Sequence, residues 1–159
     1  MAIAGVAAIV AAFGAGHLTG QEKAPVNQRI YELRTYTTFE GRLDALHARF
    51  RDHTTKLFAK HGMTNVGYFV PAGANPERKL VYFLAYPDRK ARDASWAAFV
   101  NDPAWKAAHA ASEKDGKLVE KATETFLVAT DYSPALDTAP GKGGRVFELR
   151  TYTATPKNL

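Results

Sequence analysis

The side chains best suited to chemistry are a carboxylate and a guanidinium two residues apart, Glu32 and Arg34, and a histidine, His53, set among apolar residues. Residues two apart in a strand share a face, so Glu32, Arg34 and Tyr36 project together. A buried carboxylate beside a guanidinium can orient or polarise a polar ligand. It can equally be a structural ion pair, since buried charges are kept when paired. The same pair recurs as Glu148 and Arg150, which favours structure. His53 lies between Phe50 and Leu57 on a helical stripe, where an imidazole must find a partner. There it is either an acid–base group, suited to proton abstraction or haem ligation, or a core histidine bonded to a backbone carbonyl. His109 follows Trp105 by four residues and shares its helical face.

Other chemistries lack their residues. The chain has no cysteine, which removes disulfides, thiolate nucleophiles and thiolate metal sites. The histidines are scattered without a carboxylate cluster, so no metal is expected. No Gly-rich phosphate loop and no Gly-x-Ser-x-Gly motif is present, and nothing in the pattern calls for a cofactor. His61 reads as a helix C-terminal dipole partner and His47 as a surface residue. The net charge of +5 is spread among interleaved acids. Its densest groups, Arg49-Phe-Arg51 and Arg89-Lys-Ala-Arg92, fall in helical patterns where solvated faces are the usual explanation, so nucleic acid is not an expected partner.

The elements that must position these residues begin with a strand that the chain contains twice. Arg29-Ile-Tyr-Glu-Leu-Arg-Thr-Tyr-Thr37 and Arg145-Val-Phe-Glu-Leu-Arg-Thr-Tyr-Thr153 agree at seven of nine positions. This indicates two copies of one domain, the second ending as its first helix should begin. Residues 1–21 carry no charged side chain other than the amino terminus, and the run Ala2 to Gly16 is too short to span a bilayer. It fits a signal peptide and an exported protein, although the usual preceding basic segment is missing; the alternative is an Ala-rich terminus of a cytoplasmic protein. Residues 22–28 are a polar connector, 29–131 the domain, 132–144 a Pro- and Gly-containing linker, and 145–159 the opening of the second copy.

Within the domain, the first strand (29–37) alternates with period two, and neither face is purely polar, so both must be covered. A helix is expected from about 40 to 61, with Thr38 as N-cap, a stripe of Leu43, Leu46, Phe50, His53, Leu57 and His61, and a stop at Gly62. Strands are expected at 64–70, 79–86 and 123–130. Asp88 and Asp102 cap two consecutive helical segments, with Pro103 at the first turn of the second, and a short helical turn is expected around Leu118 and Val119. The order βαββαβ defines an α+β, ferredoxin-like fold: a four-stranded antiparallel sheet with helices on one face. The other face is left bare, and a second sheet laid against it would make an α/β barrel.

The strand Tyr31-Glu-Leu-Arg-Thr-Tyr36 with its repeat resembles the NIPSNAP family. So do the helix end Phe58-Ala-Lys-His-Gly62, the segment Ser95-Trp-Ala-Ala-Phe-Val-Asn-Asp-Pro-Ala-Trp105 and the closing Ala129-Thr-Asp-Tyr-Ser-Pro134. The resemblance covers about residues 29–134 and implies the dimeric α/β-barrel superfamily, often with two domains in tandem and an export leader. Where the second domain is cut short, a homodimer or a strand exchanged between chains is the implied substitute. It brings no established reaction, though superfamily relatives include cofactor-free monooxygenases and dehydratases as well as haem-degrading enzymes. In the latter, an aromatic and a histidine line the pocket between helices and sheet, the region of Trp105 and His109 here. Two readings follow. One is a module that binds a small apolar or aromatic ligand, or a protein, with Glu32, Arg34, Tyr36, Tyr68, Trp96, Trp105 and His109 as ligand-binding candidates. The other is a cofactor-free or haem-linked monooxygenase-like enzyme with His53 as the base and Tyr36 or Tyr68 orienting substrate. Trp96 and Trp105 also read simply as core.

Overall fold

A computed structural model describes residues 29–134 and 145–155. The expected signal peptide (1–21), the connector (22–28), most of the linker (135–144) and residues 156–159 lie outside the described residues.

The alternating first segment forms β1 (Ile30–Thr38), and two aromatic, β-branched runs form β2 (Thr64–Phe69) and β3 (Lys79–Tyr86). The last strand, β4, runs Val119–Val128. It starts where a helical turn at Leu118 and Val119 was expected, because the chain breaks at Gly116 (φ 112°) and Thr38 of β1 pairs with Val119. The sheet order is β2-β3-β1-β4 with every neighbouring pair antiparallel, which is the ferredoxin-like arrangement. β1 sits in the middle, so Glu32 has Leu84 on one side and Phe126 on the other.

The long first helix comes in three parts: α1 (Leu43–Arg49), a π-helical turn (Phe50–Thr54) and α2 (Thr55–Lys60). Four of its five buried residues, Leu46, Phe50, Thr54 and Phe58, are spaced by four each time, the fifth being Arg49. A stripe in steps of four drifts away from the core on a helix of 3.6 residues per turn, and one wider turn resets it. That reset corrects the expected stripe. Thr54 takes the inward place, its hydroxyl donating to the Arg49 carbonyl at 3.2 Å, and His53 turns out to solvent. Thr38 is likewise not a cap. It is the last residue of β1, fully buried, and Arg42 occupies the N-cap position without a side-chain bond.

The helix ends as its sequence requires. Gly62 takes φ 78°, its N–H donates to Ala59 and that of Met63 donates to Phe58. This is the reciprocal pattern of a left-handed C-terminal cap, with Met63 buried as the accompanying apolar contact. Asp88 caps α3 (Arg89–Asn101) through the Ala91 N–H, and Asp102 caps α4 (Pro103–Ser112) through the Ala104 N–H. Asp102 also accepts from Lys60 and His61, each at 2.7 Å, and these bonds hold its carboxyl well below the usual range. One carboxylate thus joins the end of the first helix to the start of the last.

All helices cover one face of the sheet, where Leu80, Tyr82, Leu84 and Tyr86 meet Leu46, Phe58 and Phe99 in the core. The other face carries Leu33, Val81 and Phe83, half-buried, and Leu127, which is exposed. The repeated segment touches this open face without joining the sheet: residues 145–155 adopt no regular structure, and the Phe147 ring lies 5.0 Å from Phe69. A copy of β1 is expected to pair with a sheet edge, in this chain or in a partner; within this chain it does not. β3 and β4 already hold the first copy on both sides, which leaves only the outer edges of β2 and β4 for a second.

Candidate functional site

The helical layer and the sheet do not close completely on each other. Between them is a cavity of about 330 Å³, at the small end of the range for ligand clefts. β1 contributes Tyr36 to it and β4 contributes Val119 and Ala122; the first helix adds Arg49, Phe50, Thr54 and Phe58. α3 adds Trp96 and Phe99, three residues apart, and α4 adds Trp105 and His109, four apart, so each pair shares a helical face. The rings interlock, with Phe99 lying 4.4 Å from Trp105 and 5.6 Å from Trp96, the latter edge-on. Such contacts fix ring orientation as well as burying area.

The cavity's polar groups cluster near the end of α4. Arg49 is buried, and its Nη1 donates to Ser112 Oγ and Glu113 Oε1, both at 3.2 Å. The guanidinium carbon stands 5.3 Å from the centre of the Trp105 ring, and its Nε has no hydrogen-bond partner among the described residues. Glu113 also accepts from the Leu118 N–H and lies 3.5 Å from His109 Nε2. Lys117 completes this side.

Behind the Trp96 wall is the Glu32 cluster. Glu32 is fully buried and accepts five hydrogen bonds: from Arg34 Nη1 (2.6 Å), Arg92 Nη2 (2.7 Å) and Nε (3.2 Å), Tyr86 Oη (2.9 Å) and Trp96 Nε1 (3.1 Å). Burial pushes the Glu32 carboxyl up, but the bonds from Arg92 and Arg34 and the charge of Arg34 outweigh it and bring it down to about 2. Burial, followed by the Glu32 charge, pushes the Tyr86 hydroxyl up, so it stays a donor. Arg34 stacks 4.5 Å over Trp96 and donates to Tyr36 Oη at 3.3 Å. Glu32 and Arg34 therefore hold Trp96 and Tyr36 in place rather than facing the cavity. The repeat reproduces the local part of this arrangement, Arg150 donating to Glu148 at 2.6 Å and to Tyr152 at 3.5 Å, while exposed. The motif bonds to itself; Arg92, Tyr86 and Trp96 are what turn it into a buried keystone.

Of the residues singled out in the sequence, Tyr36, Trp96, Trp105 and His109 meet at the cavity. Tyr68 lies outside its lining; its ring stacks 5.3 Å from Tyr82, its hydroxyl donates to Asn65, and burial pushes that hydroxyl up. His53 does not reach the cavity. It is exposed beside a shallow groove between α1 and α4, because the π-helical turn rotates it outward. Sequence reasoning missed Arg49, Thr54 and Glu113. The signal for Thr54 was the four-residue spacing from Phe50 to Phe58. For Arg49 and Glu113 there was none beyond their places on helix faces. Among the described residues, no three His, Asp or Glu side chains come together to hold a metal, and no helix is long and apolar enough to cross a membrane.

A ferredoxin-like α+β domain with an aromatic pocket between helices and sheet is what these features define. The chain belongs to the NIPSNAP family, whose model matches residues 31–134. A NIPSNAP family protein of unknown function from Agrobacterium tumefaciens is similar in structure, with a TM-score of 0.59 and 24% identity over 69% of this chain and 95% of that one. An uncharacterised NIPSNAP-like domain protein from Burkholderia xenovorans has a TM-score of 0.60 and 18% identity over 70% of this chain and 93% of that one. These likenesses show the fold. No curated protein matches the chain.

Proposed function

We propose that this NIPSNAP domain is a small-molecule-binding module and that the cavity between helices and sheet is its site. The observation that carries the reading is the convergence of six aromatic side chains from β1, the first helix, α3 and α4 on one space that remains open. Closely packed interiors keep few voids, so an aromatic-lined space of this size is a natural ligand site. A monooxygenase-like reaction using His53 has no support in this geometry, since the imidazole stands outside. Ala122→Phe tests the reading. It fills the cavity from an edge strand that accepts aromatic residues well, without removing any core contact. The variant should stay folded and lose binding of indole, measured by calorimetry, at least tenfold. Unchanged affinity would place the site elsewhere.

Self-association through the open sheet face is the second part of the proposal. Leu33, Val81, Phe83 and Leu127 form an apolar strip there that a second copy of the sheet would cover, in a homodimer or in a tandem partner begun by the 145–153 repeat. Export by a leader at 1–21 belongs to the same reading. Light scattering should give twice the chain mass for the wild type and a single-chain mass for a folded Phe83→Glu variant. A wild-type monomer at all concentrations would remove this part.

A further inference from the structure

We propose that the ligand is a planar aromatic compound carrying one anionic group, and that Arg49 receives the anion; this rests on the cavity being the binding site. Arg49 is a buried cation whose Nη1 is engaged by Ser112 and Glu113 while Nε has no partner among the described residues. A buried donor left unpaired is costly, and more so on a charged group, so a ligand acceptor that reaches Nε gains a bond that no described side chain or backbone group supplies. A guanidinium presents its donors as a planar fork, which matches a carboxylate. Trp105 lies against that guanidinium at 5.3 Å and also lines the cavity, so a flat ring entering beside Trp105 brings a ring-attached carboxylate to Arg49.

Charge around the site points the same way. Lys117 also lines the cavity, and behind Trp96 two guanidiniums, Arg34 and Arg92, share the buried carboxylate of Glu32, with the exposed Asp93 3.2 Å from Arg92. The opposing charge is Glu113, which occupies Arg49 at 3.2 Å and sits 3.5 Å from His109. Glu113 is therefore a competitor for the anion, holding Arg49 in the absence of ligand. A neutral aromatic compound leaves Nε unpaired, and an aromatic cation meets Arg49 and Lys117; both are disfavoured.

The test is calorimetric titration of the full chain with 2-naphthoate and with its neutral amide. The acid should bind at least tenfold tighter than the amide, and added salt should weaken only the acid. Arg49→Gln should abolish that preference while the amide still binds. Glu113→Gln keeps an acceptor for the Leu118 N–H but removes the competing charge. It should tighten the acid several-fold and leave the amide unchanged, and it decides the matter even if Arg49→Gln does not fold. Equal binding of acid and amide, or an acid preference that survives Arg49→Gln, overturns the assignment, as does a Glu113→Gln variant with unchanged acid affinity. If the amide binds as well as the acid and Ala122→Phe blocks both, the cavity stands and the anionic class falls. If neither compound binds the wild type, the anionic class is overturned, and the cavity is then judged by its response to indole.

Discussion

Glu32→Gln is expected to destabilise the fold by about 3–5 kcal/mol, the usual cost of removing one partner from a buried ion pair. The carboxylate balances Arg34 and Arg92 and accepts from Tyr86 and Trp96 with no exposed surface. Glutamine keeps the shape but leaves Arg34 without its counter-charge and Arg92 with only the exposed Asp93, 3.2 Å away, and it offers one acceptor atom where two are in use. The loss should appear as a lower urea midpoint at pH 7 with an unchanged slope. A pH signature accompanies it. The Glu32 carboxyl is lowered from 4.5 to about 2 by the folded state. A lowered carboxyl contributes stability that is full above its unfolded pKa and disappears as pH falls through the folded one. The wild type should therefore lose stability between pH 4.5 and about 2, and Glu32→Gln should lose less over the same window. A variant as stable as the wild type at neutral pH would show that the cluster is dispensable.

Phe99→Ala should cost a similar amount, about 3–5 kcal/mol, for a different reason: transfer energy is lost and a hole remains. Phe99 is 2% exposed and touches Phe58 (4.8 Å), Trp105 (4.4 Å) and Trp96 (5.6 Å), so its neighbours cannot close the gap without moving one another. Because Phe99 also lines the cavity, the hole joins the binding space. Thermal unfolding should report the destabilisation, and the variant should bind a larger ring system than the wild type accepts. A loss under about 1 kcal/mol would mean that the site collapses, and then no larger ligand should enter.

How much of this was legible in the sequence depends on whether the signal was local. Asp88, Asp102 with Pro103, and Gly62 with Met63 are cap patterns complete within a few residues, and all three stand in the structure as expected. β3 matched its expected range because its polarity and flanking proline are equally local. His53 was misplaced because a stripe counted in steps of three and four allows two registers. Choosing between them required knowing that the helix widens at Phe50–Thr54. Glu32 and Arg34 were recognised as a pair, but their partners Tyr86, Arg92 and Trp96 lie 54 to 64 residues away. Arg49 looked like a solvated basic residue for the same reason. What buries it is Ser112 and Glu113, which only the packing of α4 brings near.

The chain has two tryptophans, Trp96 and Trp105, and both line the cavity. Their indole N–H signals in a nitrogen–proton correlation spectrum are therefore the most direct test of the proposed site. Titration with indole should shift both indole signals together, with a common saturation point, while the amides of Val81 and Phe83 on the open face stay still. Saturation that moves the open-face amides and leaves both tryptophans unmoved would contradict the assignment of the cavity as the site of function.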